Sequence, residues 1–395
     1  MPFNMDFALS DETLRVQSAA RELAQTQFRE RAAEVDESEE YPWDNVKALV
    51  SQGIMGHTVS TDYGGGGGEL IDAIVSIEEV AKACGTTGRI VVEGNVGAVG
   101  AIGAYGTDDQ KARYLPLVVA GDKPAICITE PDAGSAATDM ATSAVRDADD
   151  YVITGDKRWI TGAGVSKIYL IFTRIQENGH DFGIGGILAE SDSPGLEVGK
   201  RWPMMGLRGL PECDVHLRGC RVPAANMLVR EHGFRQLMTA YNGQRLGAAT
   251  VAMGIAEGAF DQALAYSQDR TQFDRPLSDF QGLQWMLADM TVSTTTCRAM
   301  IYQAAKNAGR GFPDSTEAAV AKVYASEMAI QVTNAALQFF GAYGYSREFP
   351  LERMVRDARM FTIGGGTAQL QRNLIASKIL GRRLDQRFPA PVDRV

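Results

Sequence analysis

Residues that could do chemistry gather in a few short stretches of this 395-residue chain. In ICITEPDAGS (126–135) a β-like run ends at Glu130-Pro131, leaving peptide N–H groups that no sheet pairs and that a ligand could take. KRWIT (157–161) carries Trp159 and Thr161, and YNGQRLG (241–247) sets the amide of Gln244 beside the guanidinium of Arg245. DRTQF (269–273) closes a long helical run with Arg270, whose forked donors match phosphate oxygens. The same charge also suits a helix C-terminus, and both roles can hold together. Arg89 stands among Thr87, Gly88, Ile90 and Val91, a setting that fits a solvated arginine as well as one aimed at an anion. Taken singly, TEPDAGS is a plausible surface turn and a lone strand tryptophan is normally core.

The elements that must hold these residues fall into three regions. The first ~120 residues have helical periodicity, with Ser10 as an N-cap ahead of DETLRVQSAARELAQTQF. IDAIVSIEEVAKAC places Ile71, Ile74, Val75 and Glu78 at helical spacing, and the glycine run at 64–68 is expected to be a flexible helix-to-helix turn. From about Pro124 the texture becomes short β-branched and aromatic runs separated by Gly, Pro and Asp. Thr154-Gly155-Asp156 is read there as a hairpin turn between two strands. From Phe234 the pattern is helical again, with Gly247, Gly254 and Gly258 inside one long helix and Leu283, Met286, Leu287 and Met290 on a core-facing stripe. The expected architecture is α+β and mostly α: an N-terminal helical domain (1–122), a middle antiparallel β-domain (123–233) and a C-terminal helical bundle (234–395).

Composition narrows the function classes. With 39 basic against 49 acidic residues the net charge is −10, which argues against a nucleic-acid binder while leaving room for a locally positive pocket. No apolar run is long enough for a bilayer, and MPFNMDFALSDETLR has no secretory pattern, so no membrane partner is expected. The five cysteines are scattered without a CxxC, which suits a reduced, cytoplasmic protein. Cys213, His216 and Cys220 lie in a strand-like alternation with no fourth ligand nearby, so no metal site is expected.

RDARMFTIGGGTAQLQ (356–371), together with ICITEPDAGS, KRWIT and DRTQF, resembles the acyl-CoA dehydrogenase family over nearly the whole chain. The resemblance implies that fold, bound FAD, an acyl-CoA thioester substrate and a homo-oligomer, by family habit a tetramer. It puts Ile128, Thr129, Trp159 and Thr161 around the flavin ring, and Gly134 and Ser135 near ring and CoA. It further puts Arg270, Gln272 and Phe273 on the FAD of a neighbouring subunit, and Gln281, Gln338, Gly341, Thr367 and Gln369 on the adenine and ribose side. Where relatives carry a glutamate that takes the substrate's α-proton, this chain aligns Gly365, and the alternative site on the Gln-Arg helix aligns Gln244. Glu93 is a conceivable substitute, though it reads as helix surface.

What stands in the acyl pocket by the same resemblance is Arg89. Facing a short acyl tail, it implies an anionic substrate end, a pairing of about 4 kcal/mol at ~4 Å before desolvation. Arg89, Gln244-Arg245 after AYN, FTIGGGTAQ, GDKPAICITEP and QGLQWMLADM together resemble a branch that hydrolyses 3-sulfinopropionyl-CoA to propionyl-CoA and sulfite. That branch keeps FAD and needs no electron acceptor, so electron-transfer flavoprotein is not required. Arg89 and Gln244 are then the catalytic expectations, with Ser135, Tyr241 and Arg245 joining Arg89 on the substrate; Gln244 would orient water or substrate. Two other readings stay open: a dehydrogenase with a relocated base acting on a short anionic or cyclic acyl-CoA, and a non-catalytic acyl-CoA- or flavin-binding relative.

Overall fold

The Ser10 hydroxyl accepts from the Thr13 amide at 3.1 Å and starts α1 (Asp11–Leu23), with Asp11 and Glu12 in the first turn to complement the helix dipole. The computed structural model describes residues 7–384 and Gln386. Six more helices follow: α2 (Arg29–Ser38), α3 (Trp43–Ser51), α4 (Leu70–Ala83), α5 (Gly85–Glu93), α6 (Ala98–Tyr105) and α7 (Asp108–Val119). α4 is buried on nearly every side, which accounts for its apolar run and puts Glu78 inside the protein. The glycine run before it does more than connect helices. A Cβ on Gly66 or Gly68 would lie 2.5 Å from the buried His57 ring, so the segment is a close-fitting wrap that side chains would push off.

The middle of the chain forms one sheet from β1 (Ala125–Cys127), β2 (Ser143–Asp147), β3 (Asp150–Thr161), β4 (Ile168–Glu177), β5 (His180–Glu190), β6 (Leu196–Arg201), β7 (Glu212–Pro223) and β8 (Met227–Val229). Its order is β6-β7-β3-β2-β4-β5-β8, with β1 also beside β4. The pairings are antiparallel as expected except that β1 and β2 both run parallel to β4. The hairpin turn expected at Thr154-Gly155-Asp156 is instead the interior of β3. Gly155 packs on Thr142 (a Cβ there would meet its Oγ1 at 2.3 Å), and the β3–β7 register shifts beside it at Ile153/Thr154. The glycine therefore marks a bulge and a close approach, and the true turn is at 148–149, between β2 and β3.

The last region opens with α8 (Gly233–Asp269), 37 residues long, then a short hairpin of β9 (Thr271–Gln272) and β10 (Arg275–Pro276), then α9 (Gln281–Ala308), α10 (Ser315–Phe340), α11 (Ala342–Tyr345), α12 (Leu351–Arg359) and α13 (Ala368–Ile379). The glycines inside α8 let helices touch: a Cβ on Gly254 would be 2.7 Å from the Glu78 carbonyl oxygen of α4, and on Gly258 2.1 Å from that of Lys82. One apolar core joins α1, α4, α8, α9 and α10, with Leu283, Met286 and Leu287 packed on it and Met290 within it. The sheet keeps its own core. The chemically interesting residues lie where these two bodies meet.

Candidate active site

Arg89 and Glu93 sit one turn apart on α5, and the surface reading of both fails. Arg89 is 8% exposed and Glu93 5%, because α5 is covered on all sides. Arg89 Nε donates to Glu93 Oε1 at 3.1 Å, while buried Lys123 bonds Glu93 Oε2. One carboxylate thus holds two cations, and the Nη1 and Nη2 donors of Arg89 bond nothing among the described residues. Lys123 also reaches the Thr161 carbonyl oxygen at 3.4 Å, tying α5 to the end of β3.

The Thr161 hydroxyl donates to Glu212 Oε1 at 2.7 Å, across the β3–β7 pairing where the two residues face each other. Glu212 is part-buried. Dehydration chiefly, with the Glu93 charge helping, pushes its carboxyl up to about 7 against the pull of Thr161, Arg89 and Lys123.

From the other side α8 contributes Tyr241, Gln244 and Arg245. Gln244 is 2% exposed, its Oε1 has no hydrogen-bond partner, and it fits only because residue 97 is glycine; a Cβ there would meet Oε1 at 2.4 Å. Arg245 Nη1 donates to Asn242 Oδ1 at 2.7 Å, its guanidinium lies 5.4 Å from the Tyr241 ring centre, and its Nε is orphaned. Burial lowers the Arg245 pKa and raises that of Tyr241, the latter opposed by Arg89 and Arg245. A buried acceptor and a buried donor, each without a partner, are groups that a polar ligand could satisfy.

The floor is the loop at Gly364–Gly366. Lys322 of α10, fully buried, donates to the carbonyl oxygens of Gly364 and Gly366 at 2.7 Å each. Gly365 between them has φ +73°, a conformation that favours glycine. Burial, then Arg245 and Arg89, brings the Lys322 ammonium down to about 7. Arg89, Lys123, Arg245 and Lys322 outnumber Glu93 and Glu212, so an acidic protein contains a locally positive cluster.

Sequence profiles for the acyl-CoA dehydrogenase N-terminal, middle and C-terminal domains match residues 10–122, 125–220 and 231–380. The chain belongs to the acyl-CoA dehydrogenase family. It is 51% identical to a 3-sulfinopropanoyl-CoA desulfinase of Variovorax paradoxus, covering 96% of this chain and 97% of that one. A protein of the same name from Paraburkholderia xenovorans is 52% identical over 97% of this chain and 100% of its own. Among solved structures, butyryl-CoA dehydrogenase from Megasphaera elsdenii superimposes with a TM-score of 0.91 at 34% identity, covering 95% of this chain and all of that one.

Family members are FAD flavoproteins, and the surface beside the cleft fits such a group. Ile128 and Thr129 are part-buried at the open end of β1, Gly134 and Ser135 are exposed in the following turn, and Trp159 is 43% exposed at φ +59°. That strained, uncovered indole packs on Trp202 at a tilt of 45° with ring centres 4.6 Å apart, a surface position that a core residue does not take. Arg270, Gln272, Phe273, Gln281, Gln338, Gly341 and Gln369 are exposed too, and Arg270 joins no ion pair among the described residues. Thr367 has a structural task as well: its hydroxyl accepts from the Leu370 amide at 3.2 Å and caps α13. Sequence reading missed Lys123, Glu212 and Lys322. The one available signal was a lone lysine within the small-residue run AVAKVYASEM of α10. No helix among the described residues is long and apolar enough to cross a membrane.

Proposed function

We propose that this chain is a desulfinase that hydrolyses 3-sulfinopropionyl-CoA to propionyl-CoA and sulfite. The observation that carries the reading is the pairing of a buried guanidinium, its Nη edge free and its Nε fixed by Glu93, with a glycine loop where a dehydrogenase base would stand. Arg89 takes the sulfinate through two charge-assisted hydrogen bonds, and Glu93, braced by Lys123, keeps the fork from swinging. Gln244 offers an unpartnered acceptor to the attacking water, Arg245 and Tyr241 bound the acyl end, and Ser135 meets the thioester side. Water enters at sulfur as the carbon–sulfur bond breaks.

FAD, when bound, supplies an electron-accepting ring and a ribose hydroxyl for the thioester carbonyl. Ile128, Thr129, Gly134, Trp159 and Thr161 would hold the ring. Arg270, Gln272, Phe273, Gln281, Gln338, Gly341, Thr367 and Gln369 would hold the nucleotide half, the first three from a neighbouring subunit. A homotetramer suits the apolar side chains left in the open: Trp285 and Val292, seven residues apart on α9, are 63% and 64% exposed, and Phe273 is 88% exposed.

Restoring a base tests the missing-base half of this reading. Gly365→Glu has room at Cβ, whose nearest neighbour would be Lys322 Cε at 3.9 Å, and pays about 1–2 kcal/mol for the left-handed backbone. The variant is expected to bleach FAD when mixed anaerobically with butyryl-CoA, about 10²-fold faster than the parent. Equal bleaching by parent and variant would mean that a base is already present.

A further inference from the structure

Hydrolysis of a carbon–sulfur bond needs a proton at carbon, and Arg89, Lys123 and Gln244 cannot readily supply one. Arg89 does not deprotonate in proteins, Lys123 is locked on Glu93, and an amide is not an acid. Glu93 is occupied by two cations. Glu212 differs from it. It is the carboxyl of the cluster with no ion pair, one oxygen takes the Thr161 hydroxyl, the other bonds nothing among the described residues, and the residue is only part-buried. Arg89 lies within its electrostatic reach.

We infer that Glu212 is the acid that protonates the carbon released from sulfur, a role that rests on the desulfinase reading. The step balances without an outside oxidant. Water oxygen bonds to sulfur, the C3–S bond breaks with its electron pair going to C3, and C3 takes the Glu212 proton. The proton lost by the attacking water returns to the Glu212 carboxylate, and sulfur leaves as hydrogensulfite. Carbon is reduced by the two electrons that oxidise sulfur, and Glu212 ends each turnover as it began. Burial supports the role by keeping a useful fraction of the carboxyl protonated near neutrality. A sulfinate on Arg89 adds negative charge nearby and favours the protonated form further.

The test is sulfite release from 3-sulfinopropionyl-CoA by the FAD-loaded protein, measured against pH for the parent, Glu212→Gln and Glu212→Asp. Because the acid must be protonated, the parent's kcat is expected to fall as pH rises through about 7. Glu212→Gln should lose roughly 10²–10⁴-fold in kcat, with KM little changed, and its residual rate should lack that alkaline fall. Glu212→Asp should recover part of the rate and keep a limb, which separates proton transfer from a loss of fold; bound FAD and the melting curve report the fold directly. A Glu212→Gln variant with the parent's kcat and alkaline limb overturns the assignment while leaving the desulfinase reading intact. A parent that releases no sulfite overturns both.

Discussion

Arg89→Lys is expected to lower kcat/KM for sulfite release by about 10²–10⁴-fold. Two charge-assisted hydrogen bonds at roughly 1.5–3 kcal/mol each amount to about 3–6 kcal/mol, which sets that range. Lysine keeps the charge but has no planar fork, so it can serve Glu93 or the sulfinate and not both in the same geometry. The fold should survive, since Glu93 retains Lys123 and α5 keeps its covered surface. Steady-state sulfite assays alongside FAD content and a melting curve check this. Loss of less than tenfold would mean that Arg89 faces no anion during catalysis.

The second large effect concerns stability. Between α4, α8 and α9, Arg298 donates to Glu78 Oε1 from Nε at 3.1 Å and from Nη2 at 3.0 Å, and also bonds Glu257. Lys82 lies 3.0 Å from Glu78 and 3.1 Å from Glu257, and the Tyr302 hydroxyl donates to Glu78 at 2.7 Å. Both carboxylates are 1% exposed. Burial, then the Glu78 charge, pushes the Glu257 carboxyl up, while Lys82 and Arg298 hold Glu78 low against its own burial. Arg298→Met leaves two buried carboxylates sharing one lysine, and should cost about 3–5 kcal/mol in urea unfolding. The pH dependence has a definite sign. Glu257 binds its proton more tightly folded than unfolded, so acidification through its raised pKa favours the folded state. Arg298 holds that pKa down, so its removal raises it further, and the deficit of the variant should shrink from pH 8 toward pH 5. An unchanged urea midpoint at pH 8 would show the arginine to be dispensable.

The three-region architecture was legible because its signals are local: helical periodicity, then short β-branched runs, then helical periodicity again. Gly155 misled because Thr-Gly-Asp reads as punctuation, whereas the glycine's reason is Thr142, thirteen residues away in sequence and pressed against it. Glu93 misled for a related cause. An Arg and a Glu four residues apart on a helix look like a solvated pair until Lys123 and the surrounding cover close over them. Arg89, Gln244 and the glycine loop stood out through resemblance, while their direction did not, since helical spacing alone leaves open which face is inward. Glu212 and Lys322 carry meaning only through Thr161 and the Gly364–Gly366 carbonyls, contacts that no window of sequence contains.

The most direct measurement mixes the FAD-loaded protein anaerobically with 3-sulfinopropionyl-CoA, no dye or acceptor added, while following sulfite and flavin absorbance together. Stoichiometric sulfite with the oxidised flavin spectrum unchanged is the expected result. Flavin bleaching without sulfite would place this chain among the proton-abstracting dehydrogenases and contradict the reading of its cleft.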